Sequence, residues 1–311
     1  MKKLIFILVF VMFLPVSAHP FWIWSGKEKK LKNPAIGAKL SPAFCLQDGI
    51  KQYDKKRYKK ARLIFITLVK KYPDAFEAAD AQYYLGLTLE GLKQPYRAYI
   101  AYQKVLDSYP NSKHINSIIE HEYNIAESLM NTPAKKILGF TKYDFVEHPS
   151  IEIFKKISDT TANVAYASKS QYQLGLLYMR LARYMEAKEA FTKVIDKYPS
   201  SEWLAPAKYQ LAQATAKGFS GTDYDTTSVT EAAQRLDEFV LNHSESEITP
   251  EAQEQLQNLI NEEAKKQYDT ARFYQRIGKP ASAKIYYSLV INNYSNTKYG
   301  PLAEKALHDI K

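Results

Sequence analysis

FTKVIDKYPSSEWLAPAKYQLAQ runs from Phe191 to Gln213, and its first half recurs. YQKVLDSYPNSK stands at Tyr102–Lys113, FITLVKKYPDAF at Phe65–Phe76 and YSLVINNYSNTK at Tyr287–Lys298. Aligned on Tyr72, Tyr109, Tyr198 and Tyr294, the four copies place Ala61, Ala98, Ala187 and Ala283 eleven residues upstream. Phe65, Tyr102, Phe191 and Tyr287 lie seven upstream. Leu68-Val69, Val105-Leu106, Val194-Ile195 and Val290-Ile291 lie four and three upstream. Counted from the alanine, these offsets are four, seven and eight, which is one face of a helix. Ala232, Leu236, Phe239 and Val240 make a looser fifth copy ending at His243-Ser244.

Twelve residues before each alanine stand Gly49, Gly86, Gly175 and, in the last copy, Ala271. A glycine inside a helix costs about 1 kcal/mol against alanine. Three in register predict a close crossing of two helices, with the alanine on the other side of the contact. The unit is therefore a helix A carrying YYLG (Tyr83–Gly86) or YQLG (Tyr172–Gly175), and a helix B carrying the alanine and the large aromatic. Gly278 falls in the turn between them, and Pro95 and Pro280 sit where helix B begins, a position that tolerates proline. Tyr-Pro ends helix B, because the residue before proline is pushed out of the helical region. No single pair can bury its own apolar face, so the pairs stack.

The order Leu-Gly, Ala, aromatic, Pro resembles the tetratricopeptide repeat at matching offsets. The resemblance covers 75–110 and 163–199 best, then 44–73, 249–295 and 203–244. A degenerate copy spans 113–161, with Tyr123 and Ala126 in helix A and Ser150, Phe154 and Ile157 in helix B. Residues 299–310 read as a capping helix. The fold expected is all-α: a right-handed α-solenoid of about six helix pairs with that cap.

The N-terminus reads as a secretory signal over 1–18. Lys2 and Lys3 precede an apolar run, Leu4 to Leu14, too short to span a bilayer. Val16 and Ala18 occupy the positions a signal peptidase reads, so the mature chain is expected to begin at His19. No cysteine follows the run at a lipidation position; the one cysteine, Cys45, reads as a small buried hydrophobe. Residues 19–43 form a tail in which Phe21, Trp22, Ile23 and Trp24 precede clustered lysines. Such a segment suits a membrane interface, giving peripheral association, or packs under the first repeat. The remainder divides at 161/162 into two blocks of three repeats. Net charge is +10, with lysines that read as scattered along the chain, and export further disfavours nucleic acid. No phosphate loop, dinucleotide fingerprint, paired-carboxylate motif or metal spacing is present, so neither an enzyme nor a cofactor is expected; His114 and His121 read as packing or surface residues.

The candidate contact residues fall into three sets. Tyr83, Tyr123, Tyr172, Tyr209 and Tyr268 form a column in helix A, three residues before the glycine position. Either they line a groove that takes an extended or helical peptide, or they pack inside the repeats. LGFTKYDFVEHP (Leu138–Pro149) and KGFSGTDYDTTS (Lys217–Ser228) interrupt two repeats between their helices and share Gly-Phe followed by Tyr-Asp. Phe140 and Phe219 are their candidate contact aromatics, or plugs on their own helices. Lys265, Arg272 and Arg276 make the last helix A basic, suited to an acidic partner.

Tyr-Pro-x-Ser repeats, a signal peptide and a Gly-Phe loop inside a repeat are together similar to the BamD (YfiO/ComL) family, best over 46–160 and 163–311. That resemblance implies a periplasmic, non-catalytic scaffold of the outer-membrane β-barrel assembly machinery. It would contact the barrel-forming subunit and unfolded outer membrane proteins. The other reading is a periplasmic tetratricopeptide adaptor for cell-envelope or cell-wall machinery.

Overall fold

The computed structural model describes residues 23–25, 30–32, 41–131, 147–218 and 227–310. A short antiparallel ladder comes first, β1 (Ile23–Ser25) on β2 (Lys30–Lys32), with Trp24 opposite Leu31. Helices follow as A/B pairs: α1 (Pro42–Asp54) with α2 (Tyr58–Lys71), α3 (Ala78–Gly91) with α4 (Pro95–Ser108), and α5 (Ile115–Met130) with α6 (Pro149–Thr160). Next are α7 (Val164–Arg180) with α8 (Tyr184–Lys197), α9 (Leu204–Lys217) with α10 (Thr227–Asn242), and α11 (Thr249–Arg276) with α12 (Pro280–Asn293); α13 (Tyr299–Asp309) caps the series. The chain divides into two compact units, Met1–Ile115 and Asn116–Lys311. In each, helices pack mainly on their neighbours in chain order, the arrangement of a tetratricopeptide solenoid.

The alanines behave as the pattern expects: Ala61, Ala98, Ala187, Ala232 and Ala283 are all fully buried. The glycines have a different partner from the one expected. The ring sixteen residues ahead, and not an alanine backbone, fills the space above them. A Cβ on Gly175 would lie 2.5 Å from Cε1 of Phe191, and one on Gly49 or Gly86 would enter the ring of Phe65 or Tyr102. Helix B drives its large aromatic against helix A, and in these three pairs the ring sits where a Cβ would be.

The A-to-B turns share a backbone that sequence reading finds only once. Lys56, Lys93, Ala182 and Gly278 all have positive φ, between 56° and 72°, and all lie sixteen residues before the closing tyrosine. Glycine takes this left-handed region freely; lysine and alanine do so at a cost of about 1–2 kcal/mol. The closing residues Tyr72, Tyr109 and Tyr198 leave the helix at φ near −130° to −135°, and Tyr294, which precedes a serine, does the same, so this exit belongs to the repeat and not to the proline alone. Their hydroxyls have work too. Tyr109 Oη donates to Pro73 O at 3.0 Å and Tyr198 Oη to Ser158 O at 3.4 Å, tying each repeat to the one before.

Two buried glutamines repeat the same bond. Gln82 Nε2 donates to Ala101 O at 2.9 Å and Gln171 Nε2 to Ala190 O at 3.1 Å, clamping helix A to its own helix B. The last helix A is 28 residues long. Ala252, Leu256 and Leu259 in its first half join a core with Tyr209, Leu236 and Phe239, while Ala271 in its last turns joins a core with Ala283, Tyr287 and Val290. One continuous helix thus serves two consecutive repeats.

Candidate partner-binding surface

The tyrosine column occupies the seams of the solenoid. Tyr83, Tyr123, Tyr172 and Tyr209 are at most 9% exposed, and Tyr268 is half-buried. Each ring lies 5.6–6.0 Å from the helix B aromatic of its own pair: Tyr102, Phe154, Phe191, Phe239 and Tyr287 in turn. On the other side most meet a ring from the start of the next repeat. Tyr83 stacks on His114 at 3.9 Å and Tyr172 on Trp203 at 4.9 Å, while Tyr123 faces Tyr166 and Tyr268 faces Tyr299. Of the two readings the column allowed, packing accounts for the rings. Aromatic pairs at these distances add about 0.5–1.5 kcal/mol each beyond their burial.

The polar tips are held as well. Tyr102 Oη donates to Glu90, and Tyr287 Oη donates to Gln275 Oε1 at 2.9 Å, both twelve residues back on helix A. Burial, then the neighbouring Glu90 charge, pushes the Tyr102 phenol far above its ordinary range. Tyr209 is joined through Gln213 to a recess. A cleft of about 450 Å³ between α9 and α11 is lined by Gln213, Lys217, Glu251, Glu254 and Gln255, among others. Gln213 Nε2 donates to Tyr209 Oη at 2.8 Å and also to Gln255, so a hydrogen-bonded floor lies under an acidic rim. Burial and then Glu251 raise the Tyr209 phenol, which stays a neutral donor.

His114 is a turn residue ahead of α5 and does not share a helix face with His121. Its Nε2 meets Asp80 Oδ1 at 2.8 Å, and Lys113 Nζ meets Asp80 Oδ2 at 2.9 Å. Cys45 is half-buried on α1, less enclosed than expected. Phe140 and Phe219, with the Gly-Phe loops that carry them, lie outside the described residues, as does the signal segment. Among the described residues, no group of three His, Cys, Asp or Glu is placed to hold a metal, and no helix is long and apolar enough to cross a membrane.

Lys265, Arg272 and Arg276 are all exposed on α11. Their spacings of seven and four put them on one stripe of the helix. Phe273 and Ile277, each about half exposed, form a parallel apolar edge one residue further on. This surface combines cations with exposed apolar side chains on one helix.

Comparison with known proteins places the chain in a family. A family model described as YfiO, outer membrane lipoprotein, matches residues 149–310, more than half of the chain and the whole run from α6 to α13. The chain belongs to the YfiO family. A tetratricopeptide repeat model matches residues 80–112, which hold α3 and α4. No curated protein matches the chain. Among solved structures, it is similar to the C-terminal part of a TPR repeat-containing protein from Cytophaga hutchinsonii (17% identity over 87% of this chain and 91% of that one, TM-score 0.38). It is also similar to a tetratricopeptide repeat protein from Parabacteroides merdae (14%, 86% and 97%, TM-score 0.36). YfiO and tetratricopeptide membership together give a protein-interaction scaffold of the cell envelope.

Proposed function

We propose that this protein is a non-enzymatic scaffold of the machinery that assembles β-barrel proteins in the outer membrane. It works from the periplasm after export, binds the barrel-forming subunit, and receives unfolded outer membrane proteins. The observation that carries this reading is the YfiO match over α6–α13, which contains the exposed Lys265/Arg272/Arg276 stripe and its Phe273/Ile277 edge. An acidic segment of the barrel-forming subunit seats on that stripe. The Tyr209 cleft and the Gly-Phe loops with Phe140 and Phe219 are secondary contacts, and the rest of the tyrosine column acts by holding the repeats in register. Association with the outer membrane is peripheral.

A second reading has one observation in its favour: the first unit matches a general tetratricopeptide model and lies outside the YfiO match. It makes the protein an adaptor for cell-wall or other envelope machinery. Crosslinked pull-down from envelope fractions separates the two. Recovery of the barrel-forming subunit supports the first, and recovery of cell-wall synthases without it supports the second.

A further inference from the structure

The positive charge of this chain is not spread over the solenoid. Residues 42–71, the first helix pair, hold nine Lys and Arg against two Asp, a net of +7, and residues 1–41 before them hold seven Lys against one Glu, a net of +6. Residues 72–311 hold 27 basic against 30 acidic side chains and are slightly acidic as a whole. The sequence hides this because the basic residues of the turn and α2 are interrupted at helical spacing by Ala61, Phe65 and Leu68, which face inward.

The outer face of α2 has a definite pattern. Ala61, Phe65 and Leu68 point into the core. Lys59, Leu63, Ile66 and Lys70 are all exposed, and their spacing of four, seven and eleven residues from Lys59 makes one outward stripe. Leu63 is 65% exposed. Lys59 and Lys70 form no ion pair with another described residue. Matching positions on α4 hold Tyr96, Ile100, Gln103 and Asp107, and on α8 Met185, Glu189, Thr192 and Asp196. The final position therefore changes sign between the first repeat and its counterparts, so the fold itself does not require lysine there.

We propose that this face of the first helix pair docks on an anionic phospholipid surface, with Leu63 and Ile66 seated at the headgroup boundary and the lysines around them among the phosphates. Three observations favour a lipid surface over an acidic protein. Seven of the nine cations are lysine, a compact point charge with no planar preference, which suits a laterally diffuse layer of charge. The apolar centre with a cationic rim is the arrangement that lies in a membrane interface. The charge runs from the turn at Lys55, Lys56 and Arg57 along α2, where residues 55–71 hold eight Lys and Arg and no acid, an exposed helix face and not a groove. This inference goes beyond the scaffold reading and does not rest on it.

The test is co-sedimentation of the full chain with vesicles of equal parts phosphatidylglycerol and phosphatidylcholine, beside vesicles of phosphatidylcholine alone. Binding is expected on the anionic vesicles only, falling as salt rises. Each lysine held near an anionic leaflet strengthens binding about fivefold, so Lys59→Gln/Lys70→Gln should weaken it about 25-fold. Leu63→Gln/Ile66→Gln should remove the part of the binding that resists salt. Lys104→Gln/Lys193→Gln removes two exposed lysines from elsewhere and should change binding by no more than about twofold. Unfolding midpoints of all variants should match the parent, since every altered side chain is on the surface. Equal binding to both vesicles, or full binding by Lys59→Gln/Lys70→Gln, overturns the proposal. So does capture of an acidic polypeptide by this face with no vesicle binding.

Discussion

Gly175→Ala should destabilise the protein even though alanine is the better helix former. The substitution adds one methyl group in the middle of α7. On an exposed helix it would gain about 1 kcal/mol. Here the new Cβ meets three atoms of the Phe191 ring at 2.5, 2.7 and 2.8 Å. Phe191 is fully buried and is held by Tyr172 at 5.7 Å, so the ring cannot swing clear without moving the seam. Overpacking at the upper end of its usual range, about 3 kcal/mol, leaves a net loss of about 2 kcal/mol. Denaturant unfolding followed by circular dichroism gives the value. Two comparisons sharpen it. Gly175→Ala/Phe191→Leu should recover part of the loss relative to Phe191→Leu alone, because the smaller side chain vacates the contact. Ala271→Gly should destabilise by about 1 kcal/mol, because in that repeat Tyr287 already accommodates an alanine. A Gly175→Ala protein as stable as the parent, or more stable, refutes the ring-on-glycine account.

The left-handed turns predict the opposite sign. Ala182→Gly relieves a positive φ and should stabilise by about 0.5–1 kcal/mol net of the extra freedom of the unfolded chain, read as a raised unfolding midpoint. Tyr172→Ala removes a ring stacked between Phe191 and Trp203 and should cost about 3–5 kcal/mol; little change would return the column to the role of an open groove. Ala98→Leu or Ala187→Leu should each cost about 1–3 kcal/mol by overpacking the crossing of helix A on helix B.

Much of the fold was legible because each repeat writes the same demand with the same letters. The alanine, the aromatic and the closing tyrosine are each met by one residue type or by Phe and Tyr in turn, so period and offset alone placed the helix pairs, including the start of helix B at Pro95 and Pro280. The glycine column was legible as a close approach, while its partner was not, since the ring that covers it lies sixteen residues ahead on another helix. The left-handed turn was visible at Gly278 alone; Lys56, Lys93 and Ala182 meet the same need without a turn-forming residue. The rings that close the tyrosine stacks, His114, Tyr166, Trp203 and Tyr299, share a place and not a residue type, so no repeat pattern reveals them. The basic stripe on α11 was legible from spacing, because the helix there is long and uninterrupted.

The scaffold reading meets its most direct test in a binding titration of the purified chain against the purified barrel-forming subunit, in parallel with Arg272→Ala/Arg276→Ala. Losing two exposed cations at one interface should weaken the complex by about 1–2 kcal/mol, while helical content stays unchanged. The parent's binding should also weaken as salt is raised, since exposed charge contacts are screened beyond about 8–10 Å. Saturable binding by the parent, lost in the double variant, is the result the account predicts. No binding by the parent contradicts membership of the assembly machinery, and equal binding by both proteins contradicts the contact surface assigned to α11.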